Sequence, residues 1–223
     1  MVDFAADYMT PAIEAKKRRE ELPRPTDSAF ANVFYGFTEI SGALEALLLS
    51  RVLIGLSPPR SKLIKKDDYL KYLINAYLQE VYILEQRLSA YARKVLRMYG
   101  RGANEAAYTA TINTLLSSIS ARFSGITNTR GGHVHSRRFS DERLDFLSGL
   151  TLIGQYKAEF AAAVDFEFKM VQVKWKKTIS DNNIATQQFL DYYFDAIFPL
   201  VTRSEKIFLP PTGRGKTARE HRA

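Results

Sequence analysis

The chain has 223 residues, contains no cysteine, and carries 32 lysines and arginines against 24 aspartates and glutamates, which gives a formal charge of +8. The absence of cysteine excludes disulfides, thiolate metal sites and cysteine nucleophiles. The length and the apolar content of 46% are typical of one globular domain with a single core. The positive charge favours a polyanion such as RNA, or an acidic protein, as the partner, and a solvated basic surface explains it equally well.

Residues 1–25 are predicted to form an N-terminal arm with room for one short helix, because Pro11, Pro23 and Pro25 interrupt helical conformation there. The basic run at residues 16–19 follows a weak apolar stretch instead of preceding a strong one, so a secretory signal is not predicted. No segment approaches the roughly 20 uncharged apolar residues that span a bilayer. We therefore expect a cytoplasmic protein without a membrane span.

A first long helix is predicted from about residue 26 to shortly before Pro58, since apolar residues recur three or four positions apart. The second helix has the most regular pattern in the chain, a heptad-like seam that opens with Asp67 or Asp68 as a cap and ends at Gly100. This seam consists of Leu70, Leu73, Tyr77, Val81, Leu84, Leu88, Tyr91, Val95 and Met98.

A third helix with similar periodicity is predicted over residues 108–126. The stretch 127–132 follows, and its two adjacent glycines predict a turn that ends this helix. Ser140 is then expected to cap a fourth helix, bent at one of its two glycines. Asp181 is expected to cap a fifth helix, which Pro199 limits.

Long helices joined by short breaks are typical of an antiparallel bundle. The sequence therefore predicts an all-α fold, an antiparallel helical bundle of about five main helices over residues 26–209. The remaining residues, 210–223, are basic and nearly free of apolar side chains, so we expect a tail that is disordered when unbound. Most of the twelve tyrosines fall on the apolar stripes and are expected at core edges, with their hydroxyls in water.

The histidines carry the clearest chemical signal. Two of the three in the chain, His133 and His135, lie two positions apart among Arg130, Arg137 and Arg138. Histidine exchanges a proton near neutral pH, and arginine offers a permanent forked donor to phosphate oxygens. Cleavage of RNA needs a base for the ribose 2′-hydroxyl, an acid for the leaving 5′-oxygen and positive charge near the phosphorus, and it needs no metal. These residues are therefore candidates for phosphoryl chemistry without a cofactor.

Two other interpretations of this segment stay open. One is a solvated polar turn in which His135 caps the next helix. The other is a His-x-His metal site, for which Asp141 and Glu142 are near in sequence. Because the sequence shows no converging third ligand, we predict no metal and no other cofactor.

The helical bundle, the break after its third helix and the spacing Arg130-x4-His135 together resemble the HEPN superfamily (higher eukaryotes and prokaryotes nucleotide-binding). Its members often carry an Arg-x4–6-His motif and act as metal-independent ribonucleases. The resemblance implies that Arg130 stabilises the scissile phosphate and that His135 transfers protons. His133 falls within the variable spacing and is not carried over from the family motif. His133, Arg137 and Arg138 are candidate supporting residues because of their position beside the motif. It also implies a homodimer with two motifs in one cleft, and a toxin or antiphage role with an antitoxin or another protein as partner. Family members commonly carry a polar residue after the arginine, where this chain has Gly131.

A different class of function is a non-catalytic helical module that binds a protein or a nucleic acid. In a nucleic-acid-binding protein without cleavage, the lysine-rich run 174–177 and the basic tail would follow a phosphate backbone. We instead expect these lysines near a helix C-terminus, where cations complement the helix dipole. The carboxylates Glu159, Asp165 and Glu167 are expected to form an exposed acidic face.

Overall fold

The predicted all-α bundle is confirmed, since the helices of the chain pack against one another. The computed structural model describes residues 10, 13–20, 28–61, 63–101, 104–135, 141–203 and 206–207. Side chains are described for the same residues apart from 28–32, 126–135 and 206–207. None of the helices in these ranges combines the length and the apolarity that crossing a bilayer requires.

The main elements follow one another in the order α1 (Ser28–Ile54), α2 (Lys66–Tyr99), α3 (Glu105–His135), α4 (Glu142–Gly154) and α5 (Ala161–Val201). A short 3-10 helix, Ala158–Phe160, lies between α4 and α5. After α5, the two-residue strands β1 (Thr202–Arg203) and β2 (Lys206–Ile207) pair antiparallel. Residues 13–17, in the predicted arm, are helical as well, whereas the predicted tail 210–223 lies outside the described residues.

Helices α1 and α2 are antiparallel neighbours. Near one end of the pair, the Tyr69 hydroxyl donates a hydrogen bond to the Leu53 carbonyl oxygen at 3.1 Å. Near the other end, Arg87 donates to the Glu39 carbonyl oxygen at 2.8 Å. The helix that follows, α3, packs on α2 as well, so the first three helices form a sequential up-and-down arrangement.

Helix α5 closes the bundle by running antiparallel to α1. The buried amide of Asn183 donates to the Leu47 carbonyl oxygen at 2.9 Å, and the buried amide of Gln172 donates to the Leu56 carbonyl oxygen at 2.8 Å. From α5, Asn183 reaches a backbone oxygen of α1, and Gln172 reaches one two residues beyond the end of α1. Since a buried polar group is costly without a partner, these two bonds fix the register between the helices.

The core is centred on α2, which packs against α1, α3, α4 and α5. Eight of the nine positions in the predicted seam are buried, and Met98 is partly buried. Burying one leucine of this kind stabilises the fold by about 1.5–3 kcal/mol relative to leaving it exposed. The regularity of the pattern in α2 therefore reflects a helix that has neighbours along its whole length.

The prediction that the tyrosine hydroxyls face water is wrong for the tyrosines of the core. Tyr77 and Tyr193 are 1% and 0% exposed. The Tyr193 hydroxyl donates to the Leu88 carbonyl oxygen at 2.9 Å and joins α5 to α2. The half-buried Tyr108 donates from α3 to the Leu200 carbonyl oxygen of α5 at 3.2 Å. Tyrosine here supplies an apolar ring to the core and a hydrogen bond between helices.

The predicted boundary between the fourth and fifth helices, at Asp181, is wrong. The chain breaks at residues 155–157, and α5 then continues for 41 residues. The Asp181 carboxylate accepts from Lys177 Nζ at 2.6 Å, one turn earlier in the same helix, instead of capping a new one. Pro199 lies in the last turn of α5, where the lost N–H bond interrupts the helix only two residues before its end. Buried contacts of α5 thus outweigh the local capping signal.

Two predicted caps are shifted by one to three residues. Asp67 and Asp68 lie in the first turn of α2, where acids favour the positive end of the helix dipole, and Lys65 precedes the helix. Asp141 rather than Ser140 caps α4. Gly100 ends α2 as predicted, and its N–H donates to the Leu96 carbonyl oxygen at 2.8 Å.

Candidate functional site

The predicted catalytic motif lies in the last two turns of α3. This helix continues to His135, so the predicted turn at 127–132 is wrong, and His135 ends α3 instead of capping the next helix. Two glycines in a helix cost about 1 kcal/mol each relative to alanine, which a long helix tolerates. The side chains of Arg130, His133 and His135 lie outside the described residues, as do Arg137 and Arg138 altogether.

The helical backbone fixes how the motif positions relate to one another. An α-helix has 3.6 residues per turn, so each residue advances about 100° around the axis. Positions 130 and 133 are three residues apart and therefore differ by about 60° around α3. Positions 130 and 135 are five residues apart and differ by about 140°. Position 133 thus shares a side of the helix with position 130. Position 135, which the Arg-x4-His motif assigns to proton transfer, lies on a different side.

The motif lies at the end of the bundle where α2 and α5 begin. Arg122, about two turns before the motif, donates to the Asn182 carbonyl oxygen at 3.3 Å. Its charge and the Asn182 side chain both act on the Tyr77 hydroxyl of α2. From this level, α3 continues toward the N-terminal ends of α2 and α5, because α3 runs antiparallel to both. The first turn of α4 lies at the same end, and residues 136–141 separate it from the end of α3.

Asp141, the residue directly before α4, binds both α4 and α5 through its carboxylate. One carboxylate oxygen accepts from the Arg143 backbone N–H at 3.0 Å and so caps α4. The other lies 2.6 Å from Lys174 Nζ on α5. The sequence carried a signal for this role, since Asp141 directly follows the predicted cap. The connection from α3 to α4 is therefore tethered to α5 at its far end.

The lysine-rich run 174–177 lies in the middle of α5, so its predicted place near a helix C-terminus is wrong. Lys174 binds Asp141, and Lys177 binds Asp181 at 2.6 Å. Two of the three lysines are therefore held by carboxylates. A phosphate backbone would have to compete with both ion pairs in order to bind here.

The prediction of an exposed acidic face is wrong for Glu167, which is only 7% exposed. Its carboxylate lies 3.7 Å from Arg143 Nε. Asp165 is exposed as predicted, and it pairs with Lys66 of α2. Ion pairs thus join α5 to both α2 and α4 at the end of the bundle that carries the motif.

Comparisons with protein-family models, with curated proteins and with solved structures find no match to this chain. The resemblance to HEPN proteins therefore rests on the all-α bundle and on Arg130 and His135.

Proposed function

We propose that this chain is a HEPN-like, metal-independent endoribonuclease of the cytoplasm, with a role as a toxin or in antiphage defence. The observation that carries this proposal is Arg130-x4-His135 on the third long helix of an all-α bundle. The net charge of +8 supports a polyanionic substrate.

In the proposed reaction, a histidine removes the proton of a ribose 2′-hydroxyl, whose oxygen attacks the adjacent phosphorus. The bond from phosphorus to the 5′-oxygen breaks, a protonated acid supplies the proton of the leaving group, and a cyclic phosphate results. Arg130 stabilises the negative charge that grows on the phosphoryl oxygens. His135 transfers the protons, as the resemblance implies.

Helical register makes His133 the rival for this role, since position 133 lies on the same side of α3 as position 130. A homodimer offers a second solution, because His135 of one copy and Arg130 of the other need not share a side of one helix. We include the homodimer, and an antitoxin or another protein partner, in the proposal.

The test is cleavage of labelled RNA in EDTA by the wild-type protein and by Arg130→Ala, His133→Ala and His135→Ala. His221→Ala is the matched control, because His221 is the remaining histidine of the chain and lies outside the Arg130–His135 segment. We expect cyclic-phosphate ends from wild type and control, and at least a 100-fold loss with Arg130→Ala and with one of the two motif histidines. The variants must show the wild-type circular dichroism spectrum. If wild-type protein freed of any partner leaves every RNA intact, the enzyme proposal is wrong.

A non-catalytic interaction module is the second candidate, and exposed apolar side chains on α5 favour it. Phe166, Met170 and Val173 are 66%, 37% and 63% exposed, and their spacing of four and three places them on one side of the helix. Adjacent exposed apolar side chains mark interaction surfaces. For this candidate we take a second copy of the chain as the partner. Phe166→Lys/Val173→Lys should then abolish self-association in sedimentation, while Tyr72→Lys, an exposed control on α2, leaves it unchanged. Unchanged sedimentation of the double variant would remove this support.

A further inference from the structure

A groove of about 390 Å³ lies between α1 and α2, at the end of α2 that is remote from the motif. Its basic side chains come from one side of α2, at spacings of seven and three residues, and its exposed aromatic side chain comes from α1. The groove is lined by Tyr35, Gly36, Glu39, Arg87, Ala90, Tyr91, Lys94 and Arg97. This volume lies within the range of about 300–1,000 Å³ that is usual for sites of small ligands.

Two of the three cationic side chains that line the groove can bind a ligand. Arg87 is held by Glu39, with Nη2 at 2.9 Å from the carboxylate and Nη1 donating to the backbone oxygen of the same residue. Lys94 and Arg97 have no ion-pair partner within the described part of the chain. Glu39 is the only acid among the lining residues. The groove therefore attracts an anion at its Lys94 and Arg97 end.

The floor and one wall of the groove are aromatic. The Tyr91 ring packs against α1 at Gly36, and its side chain is only 6% exposed. Tyr35, the residue before this glycine, is 57% exposed and borders the groove. A flat ring can stack on an exposed tyrosine of this kind, because such contacts need an accessible aromatic face and no hydrogen-bond pattern.

We infer that this groove binds a nucleotide, with the base against Tyr35 and the phosphate at Lys94 and Arg97. A nucleotide unites the two features that the groove offers separately, a flat ring and a phosphate. The nucleotide can be free or part of a single RNA strand. That the strand is RNA rests on the proposed function, whereas affinity for a nucleotide does not.

The groove and the motif are two separate places on the molecule. Tyr91 lies fourteen residues beyond Tyr77 on α2, which corresponds to about 21 Å of helix. Position 130 lies eight residues beyond Arg122 in the opposite direction, or about 12 Å. Since Arg122 and Tyr77 are at one level, the two sites are roughly 33 Å apart along the bundle. One nucleotide cannot reach both, so a cleaved strand would use the groove as a second contact.

The experiment measures fluorescence anisotropy of a labelled 2′-O-methyl oligouridylate, which lacks the hydroxyl that the proposed cleavage needs, over a range of salt concentrations. Unlabelled UMP and a polyglutamate peptide are the competitors. Lys94→Ala/Arg97→Ala tests the phosphate contacts. Arg93→Ala/Arg101→Ala is the matched control, since both arginines are exposed at the same end of the bundle and do not line the groove. Tyr35→Ala and Tyr35→Phe test stacking. Circular dichroism verifies that each variant folds.

We expect Lys94→Ala/Arg97→Ala to weaken binding at least tenfold and to reduce the slope of log affinity against log salt by about 0.7 for each lost phosphate contact. Tyr35→Ala should weaken binding about tenfold, and Tyr35→Phe should bind as wild type does, because it keeps the ring. UMP should compete, which identifies the nucleotide itself as the ligand. Failure of the two proposals is distinguishable, because UMP competition and the groove variants test the groove, whereas RNA cleavage by Arg130→Ala and His135→Ala tests the motif.

Three results would overturn the inference. The first is equal loss of affinity with the control pair, which would mean diffuse attraction by net charge. The second is wild-type affinity in Lys94→Ala/Arg97→Ala. The third is competition by polyglutamate but not by UMP, which would identify an acidic protein as the ligand.

Discussion

The Tyr91 ring occupies the space that a β-carbon would take at Gly36. A β-carbon built there meets the Tyr91 Cδ2 at 2.2 Å and Cε2 at 2.5 Å, far inside van der Waals contact. Helix α1 is therefore able to approach α2 closely at this point only because position 36 has no side chain. The same contact holds the buried ring that forms the floor of the groove.

Gly36→Ala and Gly42→Ala form a matched pair on α1 with opposite expected effects. Gly36→Ala should lower the free energy of unfolding by about 1–3 kcal/mol, because a rigid ring has to move. A β-carbon at Gly42 meets nothing within 4 Å, so Gly42→Ala should raise the free energy of unfolding by about 0.5–1 kcal/mol through helix propensity. Urea denaturation measures both. Equal shifts in the two variants would show that the contact with Tyr91 is not formed.

Removal of the Tyr193 hydroxyl tests the bond between α5 and α2. Tyr193→Phe keeps the ring and deletes the donor to the Leu88 carbonyl oxygen. We expect the free energy of unfolding to fall by about 0.5–1.5 kcal/mol, the usual net contribution of one hydrogen bond. Tyr192→Phe, at an exposed neighbouring position, is the control and should unfold as the wild-type protein does. A drop of the same size in the control would contradict the assignment.

Buried tyrosines predict loss of stability at alkaline pH. Burial raises the pKa of Tyr77 to about 12, and it also raises the pKa of Tyr91 and Tyr193. The unfolded chain releases these protons near pH 10, while the folded chain keeps them, so the stabilisation is complete below about pH 10 and is lost above it. With three such groups the free energy of unfolding should fall by about 4 kcal/mol per pH unit above pH 10.

Urea denaturation at several alkaline pH values measures this slope, and tyrosinate absorbance reports ionisation. Tyr193→Phe should reduce the slope by about a third, since one of the three groups is gone. A constant free energy of unfolding between pH 10 and pH 11 would show that these hydroxyls reach water in the folded protein.

Asp141 allows its cap and its ion pair to be separated. Asparagine caps a helix about as well as aspartate, so Asp141→Asn should lose only the pair with Lys174, at a cost below about 1 kcal/mol. Asp141→Ala loses both and should cost about 1–2 kcal/mol. Thermal unfolding should therefore rank wild type above asparagine and asparagine above alanine. Equal midpoints for the two variants would mean that the cap contributes nothing.

The course of α2 could be predicted from sequence because its heptad-like seam is buried along the whole helix. The course of α5 could not be predicted in the same way. Asp181 has the right chemistry for a helix cap, and only the structure shows that its carboxylate pairs with Lys177 inside the helix instead. Local propensity at one residue competes there with tertiary contacts that the sequence does not display. The same holds for Glu167, which is buried and pairs with Arg143 of another helix.

For both candidate sites, the sequence shows which residues are present but not how the fold arranges them. Arg130 and His135 are recognisable by spacing, but the side of the helix on which each position lies depends on whether α3 continues through Gly131. Lys94 and Arg97 repeat with a helical period that is visible in the sequence. Their role in a groove depends on Tyr35 of α1, more than fifty residues away, which no local pattern brings to their side.

The bonds that hold α5 to α1 and α2 have a consequence for synthesis of the chain. The carbonyl oxygens of Leu47 and Leu88 accept hydrogen bonds from side chains that lie 136 and 105 residues later in the chain, at Asn183 and Tyr193. During translation, α1, α2 and α3 can assemble as soon as they emerge, since each contacts its neighbour in sequence. The apolar side of α2 that α5 covers stays open until most of α5 has left the ribosome. The nascent three-helix intermediate is therefore the species that either binds a chaperone or aggregates.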